Sequence, residues 1–439
     1  MKYYSTNNKN NLVSFKEAVI KGIADDGGLF LPVEIPKLPS DFIKNVNKYS
    51  FSEIAYNIAK TLLENEIPDK DLKKIIDESI NFEVPLIKLH DDSISVLELF
   101  HGPTLAFKDF GARYMAKTLS YFNQGKNEIT ILVATSGDTG SAVANGFLNA
   151  DGIRVILLYP SGKVSVIQEK QLTTLNGNIT ALEIAGTFDD CQRLVKQAFA
   201  DREIKKELIL SSANSINIAR LIPQSFYYFF AYKQIHDKSK PLVFSVPSGN
   251  FGNLTGGILA MMMGLPVYKF IAALNINSVF LDYLKTGIFE ARKSIRTISN
   301  AMDVGNPSNF FRIKSIFNES HKEIKDKIFA ASFSDEQTKA AIKEVFSKYN
   351  YILDPHGAVG YLALKEFLKV DKAESINSII LETAHPAKFL DDVQDILKMK
   401  IEMPERLKHS LELEKKSIRL SNGFEEFKSF LMKNHNELK

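Results

Sequence analysis

One cysteine, Cys191, stands in 439 residues. That excludes an intramolecular disulfide and any zinc site built from cysteines; it accords with a reducing compartment and with Cys191 as a small buried hydrophobe. An excess of one charge sign is also missing: 55 basic against 52 acidic residues leave +3, too thin a field for nucleic acid. The opening MKYYSTNNKNNLVSFKEAV has no apolar stretch of the kind a secretory signal needs. The most apolar run, SFYYFFAYKQI, falls far short of the roughly 20 residues of a membrane span. There is no fixed-period repeat and no low-complexity linker. The expectation is a cytoplasmic protein with no nucleic acid, membrane or metal partner.

What is present is the composition of an ordinary globular chain, 45% hydrophobic and 24% charged, and a length that calls for two or three domains at roughly 100–200 residues each. Several segments repeat one grammar of β-branched run, glycine turn and helical pattern. NEITILVAT predicts a strand over 127–135, with SGDTG as the turn and SAVANGFLNA as the helix. IRVILLYP and NITALEIAG predict the next strands, with a helix over 165–175 opened by Ser165 and Gln168 in capping-box spacing and another opened by Asp189 and Asp190. After a long helix over 215–236 the grammar resumes with PLVFSVPSG, LTGGILAMMM and VYKFIAALN; a second capping box follows at Ser334 and Gln337, and SIILETAH closes the series as a strand. Such alternation requires crossovers and therefore a mainly parallel sheet covered on both faces. The first 90 residues read as more helical, with FSEIAYNIAKTLL the clearest amphipathic segment. From about 405 the chain reads as charged helix, and LELEKKSIRL as its solvated face.

Two turns carry chemistry. In SVPSGNFGN, 245–253, a strand ends, two glycines bracket Asn250 and Phe251, and a helix begins, so backbone N–H groups converge where the helix dipole favours an anion. No lysine–serine or lysine–threonine pair makes it a P-loop, and the glycine spacing is not G-x-G-x-x-G. In ATSGDTGSA, 134–142, Ser136, Thr139 and the amides near Gly137 and Gly140 can grip a carboxylate or phosphate, while Asp138 can accept from a hydroxyl or ammonium. Either turn alone is also an ordinary crossover; two together point to a ligand with two anionic ends at the carboxyl edge of the sheet. HGPTLAFKDF adds Lys108 between Phe107 and Phe110 and beside Asp109. A phosphate cradle with a desolvated lysine fits a phosphorylated aldehyde cofactor held as a Schiff base, and pyridoxal phosphate answers that description. The alternative for Lys108 is a lysine paired with Asp109, and Lys163 and Lys388 are rival amines that spacing does not rank. His101, His356 and His385, each beside glycine or proline, read as turn-stabilising.

HGPTLAFKDFGARYMAK, ATSGDTGSAVA, YPSGKVSVIQEKQLTTLNGNI, SANSINIARL, SVPSGNFGNLTGG, SNAMDVGNPSN and ETAHPAKF, with FKEAVIKGIADDGGLFLP near the start, resemble threonine synthases of the branch with an extended N-terminal region. The likeness covers residues 3 to about 435. It implies an α/β, tryptophan synthase β-like, fold type II enzyme with two parallel-sheet domains: an extension over 1–92, a large cofactor domain from 93–125 and 211–439, and a small inserted βα domain over 126–210. It implies pyridoxal 5'-phosphate, O-phospho-L-homoserine and water as substrates, L-threonine and phosphate as products, and a monomer or homodimer. By position Lys108 resembles the lysine bonded to the cofactor. Gly249, Asn250, Phe251, Gly252 and Asn253 match the cofactor-phosphate loop, and Thr383 the hydroxyl at the pyridine nitrogen. Ser136, Gly137, Asp138 and Thr139 match the segment holding the substrate, and Asn214, Ser215 and Arg220 the substrate-phosphate pocket, with a structural ion pair as the other reading of Arg220. A phospho-lyase releasing 2-oxobutyrate and a non-catalytic phosphometabolite-binding homologue are the alternatives.

Overall fold

The β-branched runs separated by glycine turns do become buried parallel strands. The computed structural model describes residues 1–89, 94–124, 127–135, 137–371 and 375–436. Among them are two sheets built by crossovers. The larger has six strands in the order Ile328–Ser332, Val267–Leu274, Leu242–Pro247, Asn377–Glu382, Ile94–Glu98 and Leu86–Lys88, all parallel except the last, which pairs antiparallel at one edge. The smaller has five parallel strands, Ile418–Ser421, Ile179–Ala185, Ile153–Pro160, Ile129–Ala134 and Ile209–Ser211. The first residues add a short antiparallel sheet of Asn8–Val13, Tyr3–Ser5 and Phe30–Pro32 to the expected helices, of which Phe51–Leu63 buries the stripe Ile54, Ile58, Leu62 under a complete Ser50/Glu53 capping box.

Alternation along the small-sheet strands sorts their side chains between two cores, as the two-residue period demands. Ile131 and Val133 face the helix Lys108–Asn123 and, through Phe110, Tyr114 and Leu119, join a core that continues to Phe244 and Val246 of the large sheet. Leu132, Ala134, Ile156 and Leu158 face away, onto Cys191, Leu194 and Ala198 of the helix Phe188–Ala200. Burial there pushes the Cys191 thiol up to about 12, which leaves it inert. The helix Lys108–Asn123 is thus the shared wall between the sheets.

Three expectations change. The helix over 215–236 is a short helix Ile218–Leu221 capped by Asn217, a tight turn Ile222–Ser225 containing Pro223, and a helix Phe226–Gln234; Pro223 lacks the N–H that a continuous helix would use. Phe226 to Phe230 are all fully buried, so the most apolar run is core. LELEKKSIRL is no solvated helix face: the helix stops at Glu412, Lys415 reaches Glu169 and Glu183 at 2.7 and 2.8 Å, and Ile418–Ser421 becomes the edge strand of the small sheet. Ile418–Ser421 therefore assembles with the small sheet, outside the expected grouping of 211–439 with the large domain; Phe427 and Leu431 of the following helix enter the small sheet's outer core. The expected boundaries at 92/93 and 125/126 fall outside the described residues. No described helix is long and apolar enough to cross a membrane.

Candidate active site

In open parallel sheets ligands gather at the carboxyl ends of strands, where neighbouring connections leave in opposite directions. Each sheet has such a point, and both open onto one cavity of about 800 Å³. In the large sheet it lies between Leu242–Pro247 and Asn377–Glu382, which deliver Gly249 and Thr383. In the small sheet it lies between Ile129–Ala134 and Ile209–Ser211, which deliver the turn at Gly137–Thr139 and the loop with Asn214 and Ser215. Lys108, Asp138, Thr139, Arg220, Asn250, Phe251, Gly252 and Asn253 line the same cavity. Ser136 lies outside the described residues.

The turn at 248–253 packs its backbone directly against that of Ala301 and Met302. A Cβ on Gly249 would stand 2.7 Å from Met302 Cα and 2.8 Å from Ala301 O, both backbone, so only glycine fits. Phe251 takes φ of +58°, a left-handed conformation uncommon for such a residue, and its ring is anchored on Phe280 at 4.8 Å. Asn253 Nδ2 donates to Pro247 O (2.7 Å), and Asn250 links Ser215 Oγ and Ser308 N, both at 2.5 Å. Phe251 gives the following helix Gly252–Met262 no side-chain cap; Asn253 Oδ1 accepts from Leu254 N (3.0 Å), so the Gly252 and Asn253 amides are the ones without a capping side chain.

Lys108 opens the helix Lys108–Asn123 and is fixed beside Thr383 through backbone. Ala106 bridges to Ala384, Phe107 N donates to Thr383 O (2.9 Å) and His385 N donates to Leu105 O (3.0 Å). Burial, against the pull of Asp138 and with the help of Lys388 and Arg220, brings the amine down to about 8. Asp109 is not its partner: it accepts from Thr104 N (2.8 Å) and Oγ1 (2.7 Å). Phe107 stands near the amine, 5.9 Å from Nζ to the ring centre, whereas Phe110 turns away onto Phe82 and Tyr227. The rivals differ in burial and in pairing. Lys163 is exposed, and Lys388, 2% exposed, is ion-paired with Asp138 at 2.7 Å. Burial alone would raise the Asp138 carboxyl, but Lys388 and Lys108 outweigh it and hold it at about 2.

Arg220 is 4% exposed and has no carboxylate partner among the described residues; Nη1 donates to Ala213 O (2.7 Å) and Nε is left without a partner. Burial lowers it to about 10, with Asp109 opposing. Arg220 is thus a buried guanidinium at the wall of the cavity with no ion pair among the described residues.

Four features escaped the sequence reading. Thr135 Oγ1 accepts from Gly140 N (2.9 Å) and Gly137 N (3.2 Å) and so shapes the second turn. Arg312, fully buried, donates to Phe30 O, Ser215 O, Ile216 O and Asn309 Oδ1 and ties the N-terminal region to the Ser215 loop. The N-terminal region itself lines the cavity through Thr6, Asn7 and Gly28. Behind Thr383, Glu382 is buried and pushed well up by burial and by Asp354. Asp354 accepts from His356 Nδ1 (2.6 Å), and His356 Nε2 accepts from Ala301 N (3.2 Å), which holds the Ala301–Met302 backbone over Gly249. His356 thus steadies a turn, as expected. His385 does too, accepting from Ala387 N, with burial bringing its ring down to about 4.

Residues 2–80 match the family Threonine synthase N terminus, 81–380 match Pyridoxal-phosphate dependent enzyme, and 357–431 match Threonine synthase, C-terminal. The chain is 44% identical over 434 residues to a threonine synthase of Buchnera aphidicola from Acyrthosiphon pisum, covering 98% of this chain and 100% of that one. It superposes with a TM-score of 0.91 on the threonine synthase structure of Escherichia coli, at 40% identity and 99% and 100% coverage. With the PLP-bound threonine synthase structure of Brucella melitensis the TM-score is 0.92, at 34% identity and 99% coverage of both chains.

Proposed function

The chain belongs to the threonine synthase family of pyridoxal-phosphate enzymes, and from that premise we propose that its cavity converts O-phospho-L-homoserine and water to L-threonine and inorganic phosphate. One observation carries the reading. A half-buried amine brought down to about 8, an uncapped helix N-terminus and a buried, unpaired guanidinium line one cavity.

The residues fit the cofactor. The close approach that only Gly249 permits and the amides of Gly252 and Asn253 suit its phosphate, Thr383, 5% exposed, suits its ring nitrogen, and Lys108 its aldehyde. When bound, pyridoxal phosphate supplies an electron sink that acidifies the carbon-bound protons of an amino acid. Lys108 Nζ, whose proton is loosely held near neutral pH, takes protons from and returns them to adjacent substrate carbons. Arg220, with Asn214 and Ser215 beside it, receives the substrate phosphate and holds it as it leaves. In the second turn, where Thr135 Oγ1 takes Gly137 N and Gly140 N, the Asp138 and Thr139 amides orient the other anionic end, the carboxylate. Phe188 and Phe199 of the small-sheet helix, with Asn7 and Gly28 of the N-terminal region, line the cavity and limit water to the one that adds.

Incubation with phosphohomoserine followed by product analysis tests the reaction: threonine with equimolar phosphate is expected, and 2-oxobutyrate as the main product would replace this reading with a phospho-lyase. Borohydride reduction and peptide mapping test the site. Label on Lys163 or Lys388 instead of Lys108 would overturn the assignment.

A further inference from the structure

Two amines share one carboxylate at the turn Gly137–Thr139, and the structure treats them unequally. Lys388 Nζ lies 2.7 Å from Asp138 Oδ1 and donates to Thr104 O at 2.8 Å. Its side chain and that of Asp138 are 0% and 4% exposed. Lys388 is set on the tight turn Pro386–Phe389, and Thr104 is itself fixed by Asp109, so the ammonium has little freedom to leave. Lys108 Nζ makes no hydrogen bond among the described residues, although Asp138 is the charge that acts on it most strongly.

The arithmetic of charge is simple. A buried carboxylate without a counter-ion draws in the nearest ammonium, because at low dielectric the attraction exceeds what either group regains by standing alone. If Asp138 were unpartnered, that ammonium would be Lys108, held protonated and unable to attack a carbonyl carbon. We infer that Lys388 is a positioning residue that occupies the Asp138 carboxylate and thereby leaves the Lys108 amine unpaired and free to react. The inference rests on the reading of Lys108 as the cofactor lysine. The charged and titratable groups around this amine are Asp138 on the helix Asp138–Gly146, Lys388 on its turn, Arg220 on the helix Ile218–Leu221, and Asp109 on its own helix; His356 acts on Asp138 from the helix Pro355–Val370.

The test is the pH dependence of pyridoxal phosphate uptake by the cofactor-stripped chain, followed by its visible absorbance. Only the neutral amine condenses with the aldehyde; a C–N bond forms, one water leaves, and nothing is oxidised or reduced. The wild-type rate should rise with pH to a midpoint near 8. Lys388→Met should move the midpoint up by about 1–3 units, the effect of an opposite charge at contact, and Lys388→Arg should leave it in place. The double variant Lys388→Met with Asp138→Asn should return it to the wild-type value or below. Lys388→Gln, which keeps a donor for Thr104 O but no charge, serves if the methionine variant does not fold, with the same upward shift expected. A midpoint unmoved in the neutral variants, or still raised in the double variant, overturns the inference. Borohydride mapping separates the two failures: label on Lys108 with an unmoved midpoint sinks the inference alone, while wild-type label elsewhere sinks the functional reading and the inference with it.

Discussion

The two strand–turn–helix junctions that meet at the cavity have the same grammar and opposite electrostatics. After Leu242–Pro247 the turn carries no charged side chain, its closeness is enforced by Gly249 against Met302, and the residue at the helix N-terminus, Phe251, offers no side-chain cap. It brings no charge of its own. After Ile129–Ala134 the first residue of the helix is Asp138, so this turn brings its own anion and has it answered by Lys388. Local sequence pattern predicts both turns equally well; what each binds is decided by which charges arrive from elsewhere in the fold.

That contrast can be broken in graded ways. Lys108 stands between the junctions, and Lys108→Ala should lower turnover of phosphohomoserine on the order of 10⁴-fold or more, read by phosphate release in the folded variant. Next in size is Asp138→Asn, which strands the Lys388 ammonium in the interior. A loss of about 3–5 kcal/mol of stability is expected, measured by urea unfolding; an unchanged midpoint would mean the second turn does not depend on its own charge. The same pair sets a pH limit. The Asp138 carboxyl is held at about 2 in the fold against about 3.9 in an open chain. Its stabilisation is therefore complete above roughly pH 4 and fades as pH falls toward 2, and acid unfolding of Asp138→Asn should lack that component. At the first turn Gly249→Ala forces a Cβ into the Met302 backbone. It should weaken cofactor binding about tenfold, or about 1.4 kcal/mol, by fluorescence titration, with little change in Lys108 titration. Smallest is Lys163→Ala, exposed and outside the cavity lining, for which activity and cofactor affinity should stay at the wild-type level.

Much of the scaffold was legible because it is local. The strand Ile153–Pro160, the complete capping box at Ser334 and Gln337, and the turn at Gly249–Asn253 each depend on residues within a few positions of one another. What was not legible depends on partners far along the chain. Spacing could not rank Lys108, Lys163 and Lys388, because the ranking comes from Asp138 and Thr104, the latter 284 residues from Lys388. The desolvation expected from Phe107 and Phe110 comes only from the first, since the helix turns the second toward Tyr227. Arg312 gives no signal at all, as its four acceptors are three carbonyls and an asparagine brought together by tertiary structure.

The edge strand Ile418–Ser421 pairs with a strand whose Glu183 lies 236 residues before Arg419. On a ribosome adding 5–20 residues per second, Ile179–Ala185 waits roughly 10–50 s for that neighbour. During the wait it is a bare parallel edge, the kind of surface on which nascent chains stick to one another. Vectorial synthesis therefore makes the smaller sheet the last of the described sheets to close.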